Sequence, residues 1–336
     1  MTVWLALFLA IGAVGTWLAR AYALQRDLLD HPGDRRSHGA PTPRGGGIAI
    51  VLCLLVATLA LAVRDPSRAV PLGGFALALL LVAGIGWWDD HRPLPVWVRL
   101  AVQVTAASVL AVAVFSAYGQ VWLALASFAA AVVLTNVWNF MDGINGIAAT
   151  QAALVATGFA VAVSGTVWGW LGWALVAACL GFLPFNFPRA RIFLGDVGSG
   201  ALGFAIAALA IAVVGEGHMA WPLVFLPPSA FLIDAGLTLG QRLVRRERWW
   251  TAHDQHAYQG LARRVGGHAQ VTLGYAAWTG LALLLMAVLR SGTGFVLTLA
   301  AVLAWYMSGV FLWVCLQRRG AGNQRADRNK LEWHKE

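Results

Sequence analysis

Charge is what this sequence lacks. Only 12% of its 336 residues are Asp, Glu, Lys or Arg, against 59% hydrophobic residues. That is about half the charge a soluble chain carries, so a water-soluble globular fold is excluded. Cysteine is scarce as well: Cys53, Cys179 and Cys315 are widely spaced in apolar runs and read as small buried hydrophobes, not disulfides or metal ligands. No Gly-Lys-Ser/Thr follows a glycine-rich stretch, which excludes a Walker-type phosphate loop. No internal repeat, heptad pattern or low-complexity tract divides the chain. It reads as a single integral-membrane domain over 1–316 with a basic tail over 317–336.

What is present is a series of apolar stretches of about 20 residues, the length that spans a bilayer core of about 30 Å as a helix. Eleven are expected: 3–24, 45–64, 71–88, 98–117, 119–135, 146–163, 166–183, 199–214, 219–242, 271–290 and 293–316. The connections within 98–135 and 146–183 are so short that ten is the alternative count. The expected fold is an all-α polytopic membrane protein. If the first segment runs outside to inside, one set of loops and tails holds 21 of the 24 Lys and Arg residues, and the other holds only Arg64, Arg68 and Arg290. The asymmetry predicts an N-terminus outside and a cytoplasmic C-terminus. The first segment is expected to be retained, because no Lys or Arg precedes it and Arg20 follows it, the reverse of a secretory signal. A net charge of +9 raises the question of nucleic acid. The basic residues punctuate membrane segments instead of lining a groove, so no nucleic-acid partner is expected, and the partner is the lipid bilayer.

The fifteen acidic residues matter for where they stand. Asp89 and Asp90 close one apolar stretch, Asp142 follows Asn139, and Asp196 sits in Gly195-Asp196-Val197-Gly198-Ser199-Gly200 at the start of another. A single carboxylate at a helix end is ordinarily just hydrated. Several on one face repel one another, and magnesium, which takes a few carboxylates plus water and phosphate oxygens, relieves that repulsion. Asn139, Asn145 and Asn186 add neutral donors and acceptors beside them. The loop His38-Gly39-Ala40-Pro41-Thr42-Pro43-Arg44-Gly45-Gly46-Gly47 places His38, Thr42 and Arg44 beside a flexible glycine entry to a helix, which suits a phosphate. In the last inside loop, His253 and His256 have His-x-x-His spacing. The His-Glu-x-x-His glutamate is missing, no cysteine is near and the surroundings are basic, so phosphate or sugar binding is preferred over zinc.

Together, Pro41-Thr42-Pro43-Arg44-Gly45-Gly46-Gly47, Gly86-x-x-Asp89-Asp90 with Arg99 and Gln103, Asn139-x-x-Asp142-Gly143 and Phe193-Leu194-Gly195-Asp196-x-Gly198-Ser199 resemble the polyprenyl-phosphate N-acetylhexosamine-1-phosphate transferases (glycosyltransferase family 4). The resemblance implies transfer of an N-acetylamino-sugar 1-phosphate from a UDP-sugar to undecaprenyl phosphate, releasing UMP. Magnesium, or manganese in its place, is the implied cofactor, and a homodimer is left open. It implies Asp196 as metal ligand, and Asp89, Asp90 and Asp142 as catalytic carboxylates. The implied substrate contacts are His38, Thr42, Arg44, Asn139, Asn145, Asn186, His253 and His256. Two departures stand out: many members carry Asp where this chain has Asn145, and the muramoyl-pentapeptide branch carries adjacent histidines where this chain reads His256-Ala257-Tyr258-Gln259. The second departure favours the branch that begins O-antigen and related surface glycans over phospho-N-acetylmuramoyl-pentapeptide transfer. A secondary transporter is the rival of another class, disfavoured because only Asp234 lies deep in an apolar segment.

Overall fold

A backbone inside hydrocarbon must satisfy its own hydrogen bonds, and helices joined by short loops are the simplest way to do so. The computed structural model describes residues 1–30, 40–217, 219–248, 251 and 253–333, with side chains to residue 317. Its helices are α1 (Thr2–Gln25), α2 (Ile48–Arg64), α3 (Ala69–His91), α4 (Val96–Tyr118), α5 (Val121–Phe140) and α6 (Ile147–Ala162). They continue with α7 (Val167–Asn186), α8 (Asp196–Gly215), α9 (Ser229–Val244), α10 (Ala257–Val265), α11 (His268–Arg290) and α12 (Phe295–Trp333). Eight stretches among the described residues are long and apolar enough to cross a bilayer, and α2 and α6 are shorter apolar helices. The chain is an all-α polytopic membrane protein.

Two expectations need correction. The stretch 219–242 is not one helix: a 3-10 turn (Trp221–Phe225) and Pro227-Pro228 precede α9, which starts at Ser229. Proline lacks the N–H a helix interior needs and its ring collides with the preceding turn, so the pair delays the helix start. The loop 243–270 is also not plain connection, since it contains α10.

Hydrophobic on every side, α8 is the kind of helix that sits in the middle of a bundle. Nearly all its residues from Val197 to Val213 are buried, enclosed by α2, α3, α5, α6 and α7. Small residues let backbones touch there. A Cβ on Gly198 would lie 2.6 Å from Gly47 Cα, where the start of α2 meets the first turn of α8. Gly198→Ala is therefore expected to lower the thermal unfolding temperature of the detergent-solubilised protein, at a cost of about 1–3 kcal/mol for forced overpacking. An unchanged melting curve would contradict this contact.

Both ends of α8 are fastened. At its C-terminal end the Tyr118 hydroxyl donates to Glu216 Oε1 (3.0 Å), and Arg68 Nη1 pairs with the same oxygen (3.0 Å). At the other end, the up-and-down course of the chain brings the C-termini of α3, α5 and α7 beside the N-termini of α4, α6 and α8. The polar residues picked out by sequence belong to that end.

Candidate active site

The glycine-rich segment and the loop before α8 are stitched together by backbone. Phe193 N–H donates to Pro43 O (2.7 Å), Gly46 N–H to Phe193 O (2.9 Å) and Gly47 N–H to Leu194 O (2.8 Å). A short antiparallel pair, Leu29–Asp30 with Thr42–Pro43, extends this seam. The seam leads into Gly195, whose φ of +77° only glycine adopts without strain. A Cβ there would lie 2.6 Å from Asp90 Oδ2.

Asp90 is almost wholly buried, and both its oxygens are engaged: Asp196 N–H donates to Oδ1 (3.0 Å) and Val197 N–H to Oδ2 (3.1 Å). These amides belong to the first turn of α8, where no intrahelical acceptor exists and the helix dipole favours an anion. Asp89 turns the other way. Its Oδ1 accepts from Leu94 N–H (2.6 Å) and its Oδ2 pairs with Arg99 Nη1 (2.9 Å), which also reaches Asp196 Oδ2 (3.1 Å). Asn139 Nδ2 donates to Asp196 Oδ1 (2.9 Å) and to Ser199 Oγ (3.0 Å). Asp196 is thus held by α4 and α5, with 34% of its side chain still exposed.

These groups surround a cavity of about 280 Å³ whose wall includes Arg44, Asn139, Asp142, Asn186, Asp196, Ser199 and Gln259. Two charged side chains in it carry no hydrogen bond at their charged ends among the described residues. Arg44 makes no described hydrogen bond through its guanidinium, whose Nε is buried without a partner, and its positive charge acts on Asp89 and Asp90. No described residue donates to the Asp142 carboxylate. Burial, then the nearby charges of Asp196 and Asp90, push the Asp142 pKa well above the carboxylate range. Negative charge there lacks a counter-ion. Among the described residues no three His, Cys, Asp or Glu side chains are gathered closely enough to hold a metal alone. Magnesium asks for less, since one or two carboxylates suffice when water and substrate phosphate oxygens complete its shell. Asp142 and Asp196 fit that demand.

Several expected substrate contacts lie elsewhere. Thr42 donates its hydroxyl to Ala40 O in its own turn (3.1 Å). Asn145 donates to Pro188 O (3.1 Å), outside the cavity wall. Asn186 lines the cavity, yet its amide is used in structure: Gly146 N–H donates to its Oδ1 (2.7 Å), and its Nδ2 donates to Ile192 O (2.9 Å). His256 is buried beside Phe140, Tyr258 and Asp234. Burial, followed by the charges of His256 and Arg242, lowers the His253 pKa to about 4, so it is neutral and offers a phosphate no charge. His38, with Arg35 and Arg36, lies outside the described residues. Sequence reasoning gave no role to Asp30, Ser199 and Gln259, which also line the cavity. Ser199 had a signal from its place in the Gly-Asp motif, and Gln259 from the stretch that departs from the adjacent histidines.

Residues 72–214, which carry most of these groups, match the family model of glycosyl transferase family 4. A phospho-N-acetylmuramoyl-pentapeptide-transferase of Moorella thermoacetica is 35% identical over 230 residues, covering 58% of this chain and 68% of the relative. The chain belongs to glycosyl transferase family 4. Other members of the family span more of it. A decaprenyl-phosphate N-acetylglucosaminephosphotransferase of Mycobacterium leprae is 28% identical, covering 79% of this chain and 78% of the relative. An undecaprenyl-phosphate alpha-N-acetylglucosaminyl 1-phosphate transferase of Thermotoga maritima is 27% identical, covering 75% and 78%.

Proposed function

We propose that this protein transfers an N-acetylhexosamine 1-phosphate, in the first instance N-acetylglucosamine 1-phosphate, from its UDP-sugar to a polyprenyl phosphate. The observation that carries the reading is one cavity at the helix ends lined by Asp142, whose carboxylate receives no described donor, and by Arg44, whose guanidinium makes no described hydrogen bond. Such a cavity suits a diphosphate: the guanidinium pairs with phosphate oxygens, and the carboxylates accept a bridging cation. The relatives' names supply the substrate class.

In this reading a lipid phosphate oxygen attacks the β-phosphorus of the UDP-sugar, the bond from that phosphorus to the bridging oxygen breaks, and UMP leaves with that oxygen. Two anions must be held close, so positioning and charge neutralisation do most of the catalysis. Magnesium held by Asp142 and Asp196 would neutralise the phosphate oxygens. Arg99 keeps Asp89 and Asp196 together despite their like charge, and Asn139 fixes the carboxylate of Asp196. Arg44 holds the sugar nucleotide's phosphate, and Asp90 serves by fixing the start of α8. The lipid tail stays in the bilayer while its phosphate reaches the helix ends. The distribution of Lys and Arg supports a cytoplasmic cavity, an N-terminus outside and eleven spans. Where the muramoyl-pentapeptide branch carries adjacent histidines this chain reads His256-Ala257-Tyr258-Gln259, which favours an amino sugar without a peptide.

Membranes containing the protein, given undecaprenyl phosphate, magnesium and a panel of UDP-N-acetyl sugars, are expected to release UMP only when lipid and cation are both present. UMP release without the lipid would sink the transfer reading. Release with UDP-N-acetylmuramoyl-pentapeptide alone would move the protein to the peptidoglycan branch.

A further inference from the structure

Asp234, the one carboxylate placed deep in an apolar stretch by sequence, is 2% exposed. It is not an idle or proton-carrying charge, because five donors converge on it. Its Oδ1 accepts from Ala257 N–H (2.8 Å), Trp313 Nε1 (3.1 Å) and the Thr238 hydroxyl (3.3 Å). Its Oδ2 accepts from Tyr258 N–H (3.1 Å) and the Tyr275 hydroxyl (2.7 Å). Ala257 and Tyr258 are the first two residues of α10. Asp234 therefore does for α10 what Asp90 does for α8: one buried carboxylate, lent by another helix, receives the two leading amides of a helix that has no other acceptor for them.

What α10 carries gives this hold its meaning. The Tyr258 hydroxyl donates to Phe140 O (3.1 Å), the last carbonyl of α5, two residues before Asp142. Gly143, the residue after Asp142, packs so closely on that hydroxyl that no Cβ would fit. Gln259 Oε1 accepts from His256 N–H (3.3 Å), and its side chain lies in the cavity wall with Asp142. A chain of direct contacts runs from Asp234 through the start of α10 and the Tyr258 hydroxyl to the 140–143 turn. No described residue donates to the Asp142 carboxylate itself, so its place follows from how the 140–143 turn is held.

We propose that Asp234 is a positioning residue of the transfer reaction: by holding the first amides of α10 it seats Tyr258 against the Asp142 turn and Gln259 in the cavity wall. The proposal rests on the transferase reading above. Trp313 and Tyr275 also tie Asp234 to α12 and α11, so the competing account is that it only glues helices together.

Three variants separate the two. Asp234→Asn removes one acceptor from the pair of amides; Tyr258→Phe removes the hydroxyl while leaving the amide cap; Trp313→Phe removes a helix-to-helix donor that does not lead to the cavity. Asp234→Asn is expected to lower kcat about 10- to 100-fold, the scale of a small misplacement at a reacting centre. Tyr258→Phe is expected to lose about tenfold, and the double variant little more than Asp234→Asn alone, because both cut one path. Trp313→Phe is expected to melt earlier with kcat within about threefold of the parent. Hydrogen exchange over 257–265 should accelerate in Asp234→Asn and not in Trp313→Phe. Additive losses, or a Trp313→Phe loss as large as that of Asp234→Asn, would overturn the proposal. So would an unchanged kcat in Tyr258→Phe, a test that stands even if Asp234→Asn does not fold. A parent protein without transferase activity would instead overturn the transferase reading, and the exchange contrast would still decide whether Asp234 holds α10.

Discussion

Asp142→Asn is expected to lose transferase activity by about 10²- to 10³-fold and, in the same protein, to melt at a higher temperature than the parent. The two effects have one origin. Burial and the charges of Asp196 and Asp90 raise the Asp142 pKa in the folded protein. The folded chain therefore binds that proton more tightly than the unfolded chain. Stability from this group is fully present below the unfolded value, about 4, and is lost as pH rises toward the raised folded value. Asparagine never ionises, so the variant escapes the loss. At pH 8 with chelator its melting point should exceed the parent's by roughly 2–5 °C, and the gap should close near pH 4. Added magnesium should raise the parent's melting point and leave the variant's where it was. A variant that melts earlier than the parent at pH 8 would show that Asp142 is a structural carboxylate.

Asp90→Ala should behave in the opposite way, losing activity together with stability. It leaves the amides of Asp196 and Val197 buried without acceptors. Each orphaned buried amide costs about 1–3 kcal/mol. The melting point is expected to fall by roughly 5 °C or more, and Asp196 to lose its place with the first turn of α8. Asp90→Asn keeps one acceptor and should fall between the two. Thermal unfolding and UMP release measured on one preparation distinguish this from a chemical role: an Asp90→Asn protein as stable as the parent but inactive would assign Asp90 to the reacting atoms.

Adjacent in sequence and identical in type, Asp89 and Asp90 show where sequence reading stops. The apolar stretches were legible because bilayer thickness imposes a length, and each of the eleven meets a helix. The miss at α9 came from Pro227-Pro228, which cut an otherwise apolar stretch. Helix α10 was missed because nine residues with two arginines carry no membrane signal. The gathering of Asp89, Asp90, Asn139, Asp142 and Asp196 at one end followed from alternation of helix direction. What each carboxylate meets did not. Whether an oxygen faces a backbone amide, a guanidinium or open cavity depends on a helix half-turn and on contacts about a hundred residues away, and residue type is silent on both. The same limit hid the neutral state of His253 and the distant duty of Asp234.

A rod bolted at both ends cannot act as a piston. With Asp90 clamping one end of α8 and Glu216, shared by Arg68 and Tyr118, clamping the other, the central helix has no axial play to pass on. Asp196 rides on that fixed rod, so its wall of the cavity is the anvil of the site. Gln259 rides on the nine-residue α10, tied separately by Asp234 at its first amides and by the Tyr258 hydroxyl to the end of α5. The two walls thus hang on separate fastenings, and a change that loosens α10 leaves the hydrogen bonds holding the Asp196 wall intact.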